Sequence, residues 1–408
     1  MTLKKGKRAL LAAVVISSAL AIAAIPAMFG CSPSAQNAPA DNLSDTGASA
    51  VVLDEGLQST AGLLEWAEAY PLEFASYNQD KWVSQELRSH NWIAAFSDSE
   101  SWGNPTCTAC KSTSFNDMYA THGDEMFSMD AADLESEVSI SWDCGLCHAG
   151  VDDLTVTPRQ TWFDKLTSQD LPEMDEETLL CVQCHNSLSV YRPVVLASGT
   201  LEGHRPYRNG LGADGLYAAM MEDNARIDFE EATGAKLTHV ADGTILESYY
   251  GSAHEAAGLT CIDCHMRTEI TDTGETITSH NASGNPLAND ETMEFCVTCH
   301  KGQSGVNNAD EMRELVAEKK EAYIAEHEAY KAQRAELKRL LTLATADGSV
   351  DEATLEKARS NYSMATFLDQ IGSGVVDNGE RVAHNTKLVF DYNTRAQALV
   401  AEAIDLLQ

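Results

Sequence analysis

The sequence predicts a mainly α fold, and three observations predict it. Residues 310–344, DEMRELVAEKKEAYIAEHEAYKAQRAELKRLLTLA, contain no glycine or proline and carry an apolar stripe on a charged helix. Strand signals elsewhere are sparse and short. Ten cysteines fall into five C-x-x-C pairs spread between residues 107 and 299, which divide that region into short helices and loops.

The C-terminal segment 308–408 is justified first. Val316, Tyr323, Tyr330 and Leu337 recur every seven residues, flanked by Leu315, Ala322 and Ala329. Gly348 can stop this helix, and Ser349 with Glu352 reads as a capping box for the next. A further helix follows His384. A stripe of this kind usually packs into a core.

The N-terminus reads differently. MTLKKGKR is basic, and the run from Ala9 to Gly30 carries no charge before Cys31. A basic start followed by an apolar core is an export signal, here residues 1–30. AMFGC resembles a lipobox, with Cys31 as the lipidated first mature residue. The alternative is an uncleaved anchor, since the run approaches the roughly 20 residues that span a bilayer. Either way the body is extracytoplasmic, in the periplasm or at the cell surface, and held to the membrane. Residues 31–50 are small and polar, suited to a flexible tether. The domain itself occupies residues 51–408.

The formal charge is −34, and loss of residues 1–30 removes four basic side chains and no acid. So acidic a chain argues against nucleic acid as a partner and leaves basic proteins as candidates. Strong acidity also keeps an exported protein soluble.

The cysteines carry the chemistry. The pairs are Cys107/Cys110, Cys144/Cys147, Cys181/Cys184, Cys261/Cys264 and Cys296/Cys299, with Cys31 as the eleventh. Four end in histidine: His148, His185, His265 and His300. Shuffling this composition yields on the order of 0.01 C-x-x-C-H matches, and the motif is that of c-type haem attachment. Two thiols add to the haem vinyl groups, and the next residue lies under the iron to supply a nitrogen. Zinc knuckles and disulfides are the competing readings. Histidine directly after the second cysteine is not usual zinc spacing, and four such repeats outweigh the disulfides that export would favour.

Lys111 follows the first pair where the others have histidine. The pair could be a disulfide with an incidental lysine, or attach a haem ligated from elsewhere. Lys111 could also ligate the iron itself, which requires the neutral amine in a dry pocket.

With one C-x-x-C-K followed by four C-x-x-C-H, the chain resembles the pentahaem, ammonia-forming cytochrome c nitrite reductases, from about Trp66 to the C-terminus. The resemblance implies a multihaem cytochrome c fold holding five c-type haems. It implies that Lys111 ligates the catalytic iron and that the other haems take histidine on both faces. By similarity His90 caps the third haem, His254 the fifth, His280 the second and His384 the fourth. His122, His204 and His327 match nothing and read as surface residues, His327 as solvated on a charged helix. The resemblance further implies a homodimer through the long helices. Nitrite is then the small inorganic substrate and a membrane quinol-oxidising cytochrome the electron donor.

The resemblance breaks at the reacting haem. The family's K-x-Q-H stretch reads AKLTHVAD, so Lys236 and His239 match while Thr238 replaces glutamine. The family's Glu-Tyr after the third haem is Ser187 and Leu188, and the segment between His90 and Cys107 has no arginine. Serine in place of glutamate removes the anionic oxygen a calcium ion prefers, so the family's calcium is not expected. The lost arginine removes charge that would orient an anion. Tyr191 or Arg192 could replace the missing groups, or sit in an ordinary loop. The candidate catalytic set is therefore Lys111, His239 and Lys236. Two functions remain open. One is a multielectron reductase of nitrite, or of hydroxylamine, sulfite or a larger, less charged acceptor. The other is a pentahaem electron carrier.

Overall fold

Between residues 309 and 406 lie three long helices, and among the described residues before them are shorter helices, 3-10 turns and three two-stranded hairpins. This computed structural model describes residues 63–78, 90, 103–138, 143–157, 160–238, 243–374 and 379–408. The leader, the tether with Cys31, and His239 lie outside the described residues. Among the described residues, no helix is long and apolar enough to cross a membrane.

In chain order the helices are α1 (Leu63–Ala69), α2 (Pro71–Asn78), α3 (Pro105–Thr108), α4 (Ser114–His122), α5 (Ala131–Glu137), α6 (Thr161–Thr167), α7 (Glu176–Val182), α8 (Arg192–Ser198) and α9 (Ala213–Asp223). They continue as α10 (Ile245–Tyr249), α11 (Ala253–Ala256), α12 (Cys261–His265), α13 (Asp290–Gln303), α14 (Ala309–Asp347), α15 (Glu352–Ser373) and α16 (Val382–Leu406). The antiparallel hairpins pair β1 (His148–Gly150) with β2 (Asp153–Val156), β3 (Ile227–Glu230) with β4 (Ala235–Thr238), and β5 (Thr268–Ile270) with β6 (Thr276–Thr278). The mainly α class expected from the sequence is what the chain adopts.

Local chemistry sets the ends of the long helices. Asn308 caps α14, its side chain accepting from the Glu311 N–H at 3.0 Å. Gly348 ends it in the left-handed region (φ 63°), donating to the Ala344 carbonyl at 3.1 Å. The cap of α15 differs from expectation. Asp351 accepts from Thr354 N–H, while the Ser349 N–H turns back to Asp347. A carboxylate at the positive end of a helix gains both the hydrogen bond and the dipole.

The buried stripe of α14 also differs on one flank. Tyr323, Tyr330 and Leu337 are buried as expected, but the flanking residues are His327, Leu341 and Ala344, while Ala322 and Ala329 are exposed. His327 is only 1% exposed, which overturns its reading as solvated. Its Nε2 lies 2.6 Å from Asp369 Oδ1 of α15, and Arg334 donates to the other carboxylate oxygen at 3.1 Å. Its ring is stacked between Tyr323 and Tyr330, with centroids 5.4 and 5.8 Å away. A partner on the next helix lets this polar residue sit in a core.

The hairpin β3–β4 leans on this bundle. Its turn carbonyl, Thr233 O, accepts from Thr345 Oγ1 at 3.0 Å and Arg359 Nε at 2.8 Å. Gly234 (φ 69°) is needed there, because a Cβ would come within 2.6 Å of the Arg359 guanidinium.

Candidate haem and active site

Four of the five cysteine pairs stand on or beside capped helices of four to fourteen residues. Asn104 caps α3 before Cys107, and Asp175 caps α7, which carries Cys181. Thr260 and Asp263 form a capping box on α12, which holds Cys261, Cys264 and His265. Asn289 caps α13, which holds Cys296, Cys299 and His300. Cys144 opens a 3-10 turn and His148 starts β1. Cysteines three apart on a helical turn project the same way, as attachment to one porphyrin edge requires. In the first four pairs neither cysteine is disulfide-bonded, whereas Cys299 of the fifth pair is.

The structure brings eight histidines together two by two. Ring centroids are 6.2 Å apart for His148 and His280, 6.1 Å for His90 and His185, 6.2 Å for His265 and His384, and 6.2 Å for His254 and His300. Two metal–nitrogen bonds of about 2 Å each, plus roughly 1.1 Å from nitrogen to ring centre on each side, place ring centres about 6 Å apart across one iron. Each separation therefore fits a single metal between two imidazoles.

Backbone contacts set which nitrogen faces inward. Nδ1 lies 3.0 Å from the Leu154 carbonyl in His148, 3.1 Å from Ala282 O in His265 and 3.0 Å from Thr278 O in His280. Donation there leaves Nε2 deprotonated and available to a metal. Burial pushes His384 down to about 3 and His185 and His280 down to about 4, and lowers His254, His265 and His300. These rings are neutral at pH 7, the form that binds a metal.

The cysteine pairs run together through the molecule. The Cys110 and Cys184 thiols are in hydrogen-bond contact, as are those of Cys181 and Cys261. Cys147 lies close enough to Cys184, and Cys296 to Cys264, for charge on one to act on the other. The first, third, fourth and fifth pairs thus form a chain, with the second beside the third. Groups attached to them would lie near one another, the arrangement that electron passage needs.

Lys111 sits at the end of that chain. It follows the turn of α3, where its N–H donates to Thr108 O at 3.1 Å. The Cys110 thiol is held below its ordinary value by its hydrogen bond with Cys184, then, against burial, by the charges of Arg192 and Lys111. Arg192, the first residue of α8, therefore places positive charge beside the lysine-terminated pair. Tyr191 is committed elsewhere: buried, it donates to Asp223 at 2.8 Å, and Arg208 holds the same carboxylate.

The remaining candidates are dispersed. Lys236 is exposed on β4, and its carbonyl accepts from Ser363 Oγ at 2.5 Å. Ser187 and Leu188 are buried in the turn after the third pair. His122 pairs with Glu137 at 2.7 Å, and His204 meets Ser198 Oγ at 2.9 Å.

Two buried charges escaped sequence reasoning. Glu247 of α10 accepts from Ser187 N–H at 2.9 Å and Tyr207 O–H at 2.6 Å, while its second oxygen has no partner. Arg381, one turn before His384, is 2% exposed. The only local signal was Glu247 inside the apolar run TILESYY; the neighbours of Arg381 in ERVAH gave none.

The sequence model of the cytochrome c552 family matches residues 82–403. The cytochrome c nitrite reductase subunit NrfA of Nitratidesulfovibrio vulgaris is 26% identical over 219 residues, which span 49% of this chain and 40% of that relative's length. The solved structure of the cytochrome c nitrite reductase of Desulfovibrio desulfuricans superposes with a TM-score of 0.65 at 16% identity, over 89% of this chain and 87% of that one. That likeness shows the multihaem fold, which implies c-type haems for the cysteine pairs. The chain belongs to the cytochrome c552 family, as a divergent relative of the cytochrome c nitrite reductases.

Proposed function

We propose that this protein is an exported multihaem reductase whose reacting centre is the lysine-terminated pair, with nitrite reduced to ammonium as its leading reaction. One observation carries the reading. Of the twelve histidines, eight stand in four facing pairs, and His122, His204 and His327 are engaged by Glu137, Ser198 and Asp369. No described histidine is left over for the remaining cysteine pair, which supports Lys111 as its ligand.

Cys107, Cys110 and the other eight motif cysteines would hold five haems. The four histidine pairs would hold the irons of four of them, and those four would carry electrons. Haem, when bound, supplies the iron that takes the substrate and the electrons that reduce it. The chain does the rest. Lys111 would be the protein's own ligand to that iron, a role that requires its neutral amine. Arg192 supplies the positive charge that draws an anion, in place of the arginine absent before Cys107. His239 follows β4 and would donate protons to the departing oxygens, and Lys236 precedes it on that strand. A membrane quinol-oxidising cytochrome would deliver electrons, and a lipid on Cys31 would keep the enzyme near it. A homodimer would use α14, where Ala322 and Ala329 are exposed beside the buried stripe.

The test is nitrite-dependent oxidation of reduced viologen by haem-loaded protein, with ammonium quantified. Turnover to ammonium supports the reading; full reduction of the haems without turnover rejects it. A second reading, an electron carrier, draws on Leu188, which is 1% exposed where the family has its tyrosine. A high-spin signal that shifts with added ligand in the electron paramagnetic resonance spectrum separates the reductase from the carrier.

A further inference from the structure

The chain has 28 lysines and arginines, and among the described residues Arg381 alone is buried. A guanidinium carries five N–H donors and cannot shed its charge. Taken out of water it must find acceptors, because an unpaired buried charge is strongly destabilising. Arg381 has almost none within the protein. Nη1 makes one long contact with Ser248 Oγ, at 3.4 Å, and Nε has no partner. Glu247 and Glu380 are near enough for their charges to act on it. Neither closes an ion pair with it among the described residues, and Glu247 spends one oxygen on Ser187 and Tyr207.

The fold holds Arg381 firmly in this position. Its carbonyl accepts the N–H groups of His384 and Asn385 at 3.0 and 3.1 Å. Asn385 then breaks the helix (φ −157°, ψ 81°), and its side chain caps the turn that follows by accepting from Leu388 N–H at 3.1 Å. On the other side Gly374 (φ 77°) leaves room that a Cβ would fill, 2.8 Å from Nε. The charge so placed reaches the rings of both His185 and His384, one from each of two facing pairs.

We propose that Arg381 is a binding residue for a carboxylate of haem, pairing with a propionate at the junction of the third and fourth cysteine motifs. The proposal rests on the haem assignments above. Haem is the anion this site would meet: its propionates lie at the porphyrin edge, and the charge of Arg381 acts on one ring of each of two histidine pairs whose spacing fits a single iron. A planar fork is matched to a carboxylate, and the pair would neutralise both charges in a dry interior.

The experiment uses full-length, haem-loaded protein and reads the haem propionate bending bands by resonance Raman, together with an optical redox titration. Haem per chain, measured first as the pyridine haemochrome, tests the haem assignments separately; haem missing from the third and fourth motifs would sink those assignments rather than this pairing. In Arg381→Gln a propionate band moves and one redox component shifts to lower potential, since an uncompensated propionate disfavours the added electron. In Arg381→Lys the charge remains and the fork is lost, so the band moves while the potential stays near that of the native protein. Should Arg381→Gln fail to accumulate, the lysine variant reads the same band. Bands unmoved in a haem-replete variant overturn the proposal, whether or not the potential changes. A band that moves in Glu247→Gln but in neither Arg381 variant overturns it as well, by assigning the propionate contact to another group.

Discussion

The rings of His265 and His384 stand 6.2 Å apart and 22° from parallel, although one closes the fourth cysteine motif and the other opens the last helix. His265 is fixed by its own helical turn, whereas His384 depends on the packing of α16 against the bundle. Replacing His384 with alanine should therefore leave the haem attached through Cys261 and Cys264 but remove one axial nitrogen. One low-spin signal is expected to become high-spin in the electron paramagnetic resonance spectrum, with haem per chain unchanged. An unaltered spectrum would reject the pairing.

Lys111→His tests the lysine-terminated site. The variant retains a nitrogen ligand and the attachment cysteines, so haem content should hold. We expect nitrite turnover to fall by about tenfold or more, a loss in rate that corresponds to about 1.4 kcal/mol of barrier. Native turnover in this variant would show that the lysine has no special part.

Arg192→Ala removes the positive charge beside Cys110 and Lys111. An anion should then bind less well before reaction, so KM for nitrite is expected to rise by roughly tenfold while kcat changes little. Arg192→Lys should recover most of the loss. A fall in kcat at constant KM would place Arg192 outside substrate binding.

Glu247 gives a pH-dependent stability with a definite sign. Burial raises its carboxyl above the ordinary value of 4.5, so the folded state holds a proton that the unfolded state releases first. Its contribution is full below about pH 4.5 and declines as pH rises through the folded value. The Glu247→Gln variant would keep an acceptor for Ser187 and Tyr207 without that loss. Its apparent Tm should thus gain on the native protein as pH rises above about 4.5. A constant difference over that range would mean that the carboxyl is ionised throughout, with Arg381 as its compensating charge.

His327→Ala removes the partner that Asp369 finds at 2.6 Å and opens a gap between Tyr323 and Tyr330. A destabilisation of about 2–3 kcal/mol is expected from the lost charge-assisted hydrogen bond and packing, measured as a shift in urea midpoint. A cost below about 0.5 kcal/mol would indicate a solvated site.

Much of this molecule is local in origin. The cysteine spacing, the histidine after the second cysteine and the exceptional Lys111 are read from five consecutive residues, because attachment to one porphyrin edge is a requirement of short range. Gly348 is equally legible, since only a left-handed residue ends α14 in that way. The cap of the following helix lies two residues from its expected place, Asp351 instead of Ser349, because several oxygen-bearing side chains near a helix start compete for the same N–H groups. His327 departs from expectation for another reason. Its sequence neighbours are charged, and its burial depends on Asp369, which a different helix supplies.

By itself the sequence pointed to what this chain can attach and to where its longest helix ends, at Gly348, because those properties depend on neighbours within a turn of backbone. The resemblance already named which imidazole faces which, and the structure sets those rings opposite one another; only the tertiary structure decided that the charge of Arg192 acts on Cys110 and that Glu247 and Arg381 lie buried. Those relations join residues far apart in the chain. They are set by how helices and loops close on one another, and hydrophobicity and spacing along the sequence carry no record of that closure.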